Sequence, residues 1–431
     1  MNIFFVVILA ALIAEFVIEL VADFLNLRAL SHEPPAELKG VYDPEKYRKS
    51  QEYTRVTTGF GIITAGFRLA VVLTFWLAGG FNALDQAVRD LDLPVIVNGI
   101  LFVGVLALAS GLLMLPFEVF HAFVIEERFG FNKTTLKTFI LDQVKGVALM
   151  IVVGLPVLAA VLAFFEYGGD LAWLYCWVAV TALILALQYV APTWIMPLFN
   201  KLTPLPEGEL RTSILDYAKS FNFTLNNILV MDGSKRSTKS NAFFTGFGRN
   251  KRIALFDTLV KNHTVPELTA VLAHEIGHYK KRHIVQGTVI GILHLGALLF
   301  LFSLFLSSQG LHDAFFMDEK SVYAGIVFFG LLFTPIEMVL SPIMHWLSRR
   351  NEYEADRWSV DTYGKPQEMA EALKKLSSDN LSNLSPHPMY VFLHYTHPPL
   401  LQRVRAIERA GSQQSAVGSR PNEDGGTRRQ G

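Results

Sequence analysis

The sequence is short of charge and of cysteine. Only 18% of its 431 residues are Asp, Glu, Lys or Arg, where a globular chain carries about a quarter. Its 38 basic residues balance 38 acidic ones, so the formal net charge is zero. Such a balance leaves no electrostatic footprint for a nucleic acid, and none is expected as a partner. There is one cysteine, Cys176. It cannot close an intrachain disulfide, and it leaves no cysteine cluster for a structural zinc site. No nucleotide-binding glycine pattern and no internal repeat occurs. The start, M-N-I-F-F-V-V, lacks a basic region and a clear small-residue cleavage site, and Glu15 and Glu19 interrupt its apolar run. It reads as a retained first span and not as a signal peptide.

What the chain has in quantity is apolar residues, 51% of the total, gathered in long blocks. A helix needs about 20 mostly apolar residues to cross a bilayer. Seven blocks qualify, near 2–27, 58–81, 94–119, 146–165, 171–190, 284–307 and 321–345. Only E-Y-G-G-D separates the fourth from the fifth, which makes a tight helical hairpin. Lys and Arg crowd the 28–57 and 120–145 loops, while 82–93 holds only Arg89, 308–320 only Lys320 and 166–170 none. The positive-inside rule puts the first, third and fifth loops and the C-terminal tail in the cytoplasm, with the N-terminus outside or luminal. The membrane is a bacterial inner membrane or the endoplasmic reticulum.

The expected fold class is an all-α polytopic membrane protein, with seven transmembrane helices and a cytoplasmic zincin-like catalytic domain of helices plus a short β element. Residues 1–190 hold five spans, 191–283 a first catalytic region, 284–345 two more spans, and 346–410 a second catalytic region. The polar, Gly/Ser-rich 411–431 is expected to be disordered. Within 191–283, D-G-S-K-R-S-T-K-S-N-A-F-F-T-G-F-G reads as a turn-rich loop, and I-A-L-F-D-T-L-V, 253–260, as a short strand. A helix should follow, with Thr264 as N-cap and Pro266 and Glu267 in its first turn.

That helix carries H-E-I-G-H. His274 and His278, four residues apart, project from one face. Two imidazoles so placed can bind one zinc ion. Glu275 can take a proton from an attacking water and return it to the leaving amine. Zinc in a catalytic site wants a third protein ligand and one open position. The candidate is in S-R-R-N-E-Y-E-A-D-R-W, 348–358. There Glu352 and Asp356 share a helical face, Glu352 to bind the ion and Asp356 to hydrogen-bond a ligand histidine. Glu354 competes with Glu352 but points to a different side. His283, His294 and His345 read as structural histidines.

These residues together resemble the type I CAAX prenyl endopeptidase family of integral-membrane zinc proteases. The likeness covers about residues 35 to 410. It is carried by Y-D-P-E-K-Y, E-E-R-F-G-F-N-K-T-T, P-L-F-N-K-L-T-P-L, K-S-N-A-F-F-T-G-F, H-E-I-G-H, N-E-Y-E-A-D and H-P-P-L-L-Q-R. The resemblance implies one Zn2+ held by His274, His278 and Glu352, with Glu275 as catalytic base. It implies Asn241 beside the substrate backbone, and His397 and Arg403 against the substrate or the developing oxyanion. It also implies seven spans around a water-filled chamber. Ionisable residues inside spans agree with a chamber, because they normally face water or a bundle interior. Here these are Glu15, Glu19 and Asp23 in one stripe, with Arg68, Glu118, His294 and Glu337.

The implied function is removal of the C-terminal tripeptide from prenylated proteins. The partners are then a peptide or protein substrate, lipidated ones included, and membrane lipids. A substrate segment is expected to lie extended against the 253–260 strand. Two other readings share the composition. One is a quality-control metalloprotease with little sequence preference. The other is a transporter or scaffold using zinc structurally, which the missing cysteines disfavour.

Overall fold

The computed structural model describes residues 2–31, 33–223, 225, 227–245, 252–306 and 308–418. In chain order the helices are α1 (Ile3–Arg28), α2 (Pro44–Leu77), α3 (Gly80–Arg89), α4 (Val95–Glu126), α5 (Leu136–Tyr167) and α6 (Gly169–Phe199). They continue as α7 (Glu209–Ser220), α8 (Asp257–Asn262), α9 (Val265–Lys280), α10 (His283–Phe305), α11 (Gln309–Asp313) and α12 (Val322–Tyr363). The last are α13 (Pro366–Asp379), α14 (Pro388–His394) and α15 (Leu400–Gly418). Seven are long and apolar enough to cross a membrane: α1, α2, α4, α5, α6, α10 and α12.

Two spans run well past their apolar cores. Helix α2 begins at Pro44, fourteen residues before the expected boundary, because Asp43 caps it by accepting from the Lys46 amide at 2.8 Å and Pro44 suits the first turn. Helix α12 meets no breaker after residue 345. It reaches a total length of 42 residues before Gly364, at φ +70°, ends it. The N-E-Y-E-A-D segment is therefore the extension of the seventh span and not the start of a separate region.

The spans pack in the order α2, α1, α12, α10, α6, α5, α4 and back to α2 through Phe60 and Phe67 on Phe117, and α12 also packs against α4 and α5. Only 6–22% of each span's apolar window is buried within the protein. One end of the bundle, termed the outer end because it lies away from the converging histidines, is packed by an aromatic core from α1, α2, α3, α4, α5, α11 and α12, including Trp76, Phe81, Phe102, Phe315 and Phe328.

The other end is closed by the catalytic region. A four-stranded sheet runs in the order β1-β2-β4-β3, formed by Leu202–Pro204, Asn227–Met231, Arg252–Phe256 and Ala242–Thr245 (numbered in chain order β1, β2, β4 and β3). Strands β2 and β4 are parallel, and the two outer pairs are antiparallel. Helices α7 and α9 cover the sheet through Ile214, Ile253, Leu255, Leu268 and Leu272.

Three expectations change here. The 253–260 strand stops at Phe256, because Asp257 opens α8. The turn-rich loop contains a strand of its own, β3, whose A-F-F-T run suits a pleated, half-buried surface. The tail expected to be disordered from 411 continues α15 to Gly418. Residues 419–431 lie outside the described residues.

Candidate active site

Helix α9 begins with a reciprocal capping box. The Thr264 hydroxyl faces the Glu267 amide, and Glu267 Oε2 accepts from the Thr264 amide at 2.8 Å. Its buried face then packs between the sheet and α12. Gly277 sets how closely α9 and α12 approach. A Cβ there would stand 3.1 Å from Trp358 Cβ and 3.2 Å from the Ala355 Cα. With hydrogen in that place, the H-E-I-G-H turn lies directly on the N-E-Y-E-A-D turn. Ser359 Oγ reinforces the contact by donating to the Ala270 carbonyl at 2.9 Å.

One nitrogen from each of His274 and His278 and one oxygen of Glu352 fall within 4.8 Å of one another. The two Nε2 atoms are 3.1 Å apart. Glu352 Oε2 lies 3.4 Å from His274 Nε2, and Oε1 lies 3.2 Å from His278 Nε2. The sequence alternative Glu354 points elsewhere. It is half exposed and meets Arg350 and His283.

Each imidazole is held from behind. His274 Nδ1 is 2.9 Å from Asp356 Oδ1, which fixes the proton on Nδ1 and turns the Nε2 lone pair inward. His278 Nδ1 is 3.0 Å from Nδ1 of His283, whose Nε2 is in turn 3.4 Å from Glu354. Sequence spacing had set His283 aside. Only the sharp turn at Arg282, at φ +61°, folds the head of α10 back onto His278. His294 pairs with Glu337 at 2.9 Å, and His345 Nδ1 meets the Leu393 carbonyl at 2.6 Å.

Arg403 is buried, and its guanidinium donates to both oxygens of Asp356, at 2.8 and 2.6 Å. Its Nη1 stands 3.3 Å from Glu352 Oε2. The head group pairs with these two carboxylates and borders a cavity that His397 also lines. His397 is the open one: its side chain is 63% exposed, with Nε2 3.3 Å from Glu352 Oε1. Asn241, Glu275 and His397 line a cavity of about 510 Å³ with the three converging residues.

The donor set fits a divalent cation. Glu352 Oε2 is buried without a hydrogen-bond donor of its own. Glu275, Glu352 and Asp356 face a single guanidinium, Arg403. Burial disfavours a charged imidazole at His274, yet hydrogen bonds to Asp356 and Glu352 outweigh it and raise its pKa to about 10. The surroundings thus call for positive charge where the Nε2 atoms meet. Desolvation raises the Glu275 carboxyl above the ordinary carboxylate range, partly offset by His274 and His278. That direction suits a proton acceptor working near neutral pH.

A multi-pass membrane protein with a buried His-His-Glu centre, and a glutamate beside it, defines a class: membrane-embedded metallopeptidases. Residues 23–201 match the CAAX prenyl protease N-terminal family, described by five membrane helices, and residues 204–410 match peptidase family M48. The probable CAAX prenyl protease 1 of Schizosaccharomyces pombe is 38% identical, across 88% of this chain and 83% of that protein. CAAX prenyl protease 1 of Saccharomyces cerevisiae is 36% identical, across 92% and 93%. The crystal structure of S. mikatae Ste24p superposes with a TM-score of 0.89 at 34% identity, covering 95% of this chain and all of that one. The chain belongs to the CAAX prenyl proteases of peptidase family M48. It is a membrane metalloendopeptidase that acts on peptide or protein substrates.

Proposed function

We propose that the protein is a zinc endopeptidase that removes a short C-terminal peptide from prenylated proteins at the cytoplasmic end of its chamber. One observation carries the reading: three metal-ligand atoms from α9 and from α12, the extended seventh span, converge within 4.8 Å. His274, His278 and Glu352 would hold a single zinc ion, and the set of two imidazoles and a carboxylate leaves a position open. When bound, zinc supplies a Lewis acid and makes water acidic enough to attack at neutral pH.

The protein's own residues do the rest. Glu275 takes the proton of the attacking water and delivers it to the leaving nitrogen. Asp356 and Arg403 hold His274 and Glu352 in place. His397 stands in the open cavity, where it can donate to the oxygen that gains charge. Asn241, at the head of β3, is placed to meet the substrate backbone. The substrate strand would add to β3, the edge strand whose Ala242, Phe243 and Phe244 line the cavity with the converging residues. Strand β4 is flanked on both sides, by β2 and β3, and has no free edge, so the expected pairing against residues 253–260 is not available.

The cytoplasmic orientation of this end is supported by the basic residues of the 28–57 and 120–145 loops, which the positive-inside rule assigns to the cytoplasm. Lipid groups of a substrate are accommodated by the apolar spans while its peptide reaches the centre. The test compares three peptides on one preparation of measured zinc content: a farnesylated C-a-a-X peptide, its unprenylated form and an unrelated sequence. Faster cleavage of the farnesylated peptide is expected. Equal rates on all three would replace this reading with a quality-control protease of broad specificity.

A further inference from the structure

The edge that β3 offers does not continue into the residues that lead into it. In an antiparallel pair, alternate residues turn their N–H and C=O toward the partner strand. The Phe256 amide donates to the Asn241 carbonyl at 3.0 Å, and Thr258 Oγ1 donates to the Lys239 carbonyl at 3.0 Å. Residues 239 and 241 therefore face inward along β4 and its continuation. The main-chain groups of Ser240, Ala242 and Phe244 face the outer edge, where an added strand would pair.

At Ser240 that edge is already taken. The Ser240 amide donates to Asn380 Oδ1 at 3.0 Å, and Asn380 Nδ2 donates to the Ser240 carbonyl at 3.1 Å. One carboxamide thus makes the two bonds that a neighbouring strand would make. At Ala242 the amide is covered only by the Oδ1 of the adjacent Asn241, at 2.8 Å, which a substrate can displace by rotating one side chain.

Asn380 sits on a braced turn. It follows α13, and its amide donates to the Leu376 carbonyl at 3.1 Å. The Ser382 amide donates to the Ser377 carbonyl at 3.0 Å, and buried Leu381 takes φ +50°. Tyr42 Oη lies 2.6 Å from the Ser377 carbonyl and 3.1 Å from that of Ser382, so the Y-D-P-E-K-Y segment clamps the turn from the membrane side. Asp379 is held by Asn262 at 2.8 Å. On its open side Asn380 borders a cavity of about 430 Å³ shared with His397 and Arg403.

We propose that Asn380 is a positioning residue that ends the substrate-binding edge, so that a substrate strand pairs with Ala242 and Phe244 but not with Ser240. The inference rests on the reading that substrate adds to β3. It makes Asn380 a length stop: a substrate that continues as a strand past Ala242 meets a side chain in place of main-chain partners. Removing the carboxamide opens one further pairing position, worth two substrate residues.

The test uses the full-length, zinc-loaded protein and three peptides: a cleavable parent, the parent extended by two residues at its C-terminus, and the parent extended by two at its N-terminus. For the wild type, one extension should lower kcat/KM about tenfold, the effect of two backbone hydrogen bonds left unmade. Asn380→Ala should erase most of that long-to-short ratio and leave the ratio for the other extension unchanged. A general loss of structure lowers all three rates together and moves neither ratio. Asn380→Asp, of equal size but unable to donate to the Ser240 carbonyl, should shift the same ratio by less. A wild type indifferent to both extensions, or variants that keep its ratio, overturn the length stop. Peptides N-methylated at single backbone amides separate the two readings. If no position slows cleavage, pairing with β3 fails altogether. If one does while the ratios stay put, only the role of Asn380 fails.

Discussion

The two ends of the helical bundle are held together by opposite means. At the outer end, rings do the work. Phe315 stacks on Phe328 at 3.9 Å, Trp76 stacks on Phe315 at 4.7 Å, and Phe81 meets both phenylalanines edge-on. One hydrogen bond, from Trp76 Nε1 to the Ala314 carbonyl at 2.8 Å, orients the set. At the metal end, directional polar contacts dominate, from Arg403 through Asp356 to His274 and from Glu354 through His283 to His278. Apolar packing tolerates small shifts, because dispersion and burial change gradually with position. A metal-ligand set does not, since its donors must meet within tenths of an ångström. The outer end needs only to be shut, whereas the inner end has to be exact in geometry.

This contrast can be broken from either side. The largest expected effect is Glu275→Gln, which should lower kcat by about a hundredfold to ten-thousandfold, the usual worth of a positioned proton acceptor. Zinc content, read by elemental analysis, and melting temperature should stay at the wild-type level. Retained hydrolysis in a zinc-replete sample would remove Glu275 as the base. At the other end, Trp76→Ala should cost about 3–5 kcal/mol of stability, read as a lower thermal midpoint in detergent, because it empties a fully buried site. Zinc stoichiometry in the surviving folded fraction should be unchanged. Metal loss in step with unfolding of the outer end would show that the two ends are one cooperative unit.

Two smaller effects sharpen the inner end. Asp356→Asn should weaken zinc affinity by about ten- to a hundredfold, measured by competition with a chelator, since the partner that sets the His274 tautomer is altered. Gly277→Ala should cost about 1–3 kcal/mol through overpacking against Trp358 and Ala355. It should also lower zinc affinity, because it pushes apart the two helices that carry the ligands. A thermal midpoint that falls with no change in zinc affinity would mean that α9 and α12 separate elsewhere along their length.

Much of this was legible in the linear chain. Seven apolar blocks predicted seven spans, because hydrocarbon demands about 20 apolar residues per crossing and leaves no alternative pattern. The N-cap and first turn of α9 were readable from Thr264, Pro266 and Glu267. The i, i+4 spacings paired His274 with His278 and Glu352 with Asp356. Less visible were the features made by chain reversal or by distant segments. The hairpin at Arg282 brings His283 to His278, although helical spacing alone put it off the face. Strand β3 was hidden in a run of turn residues, and β4 was read too long because Thr258 to Val260 are as apolar as a strand requires. The tail was expected to be disordered from its composition, yet α15 reaches Gly418.

The sequence alone determined which segments enter the bilayer and which side chains carry metal-binding chemistry, because both follow from local composition and helical period. Tertiary structure alone decided which carboxylate faces the histidines, that Arg403 pairs with Asp356, and that β3 is an edge strand with Asn380 bonded to Ser240 just before it. Those outcomes depend on how segments tens to hundreds of residues apart are brought into register. Short-range periodicity holds no information about that register, and it is set by contacts such as a glycine lying against the Trp358 side chain.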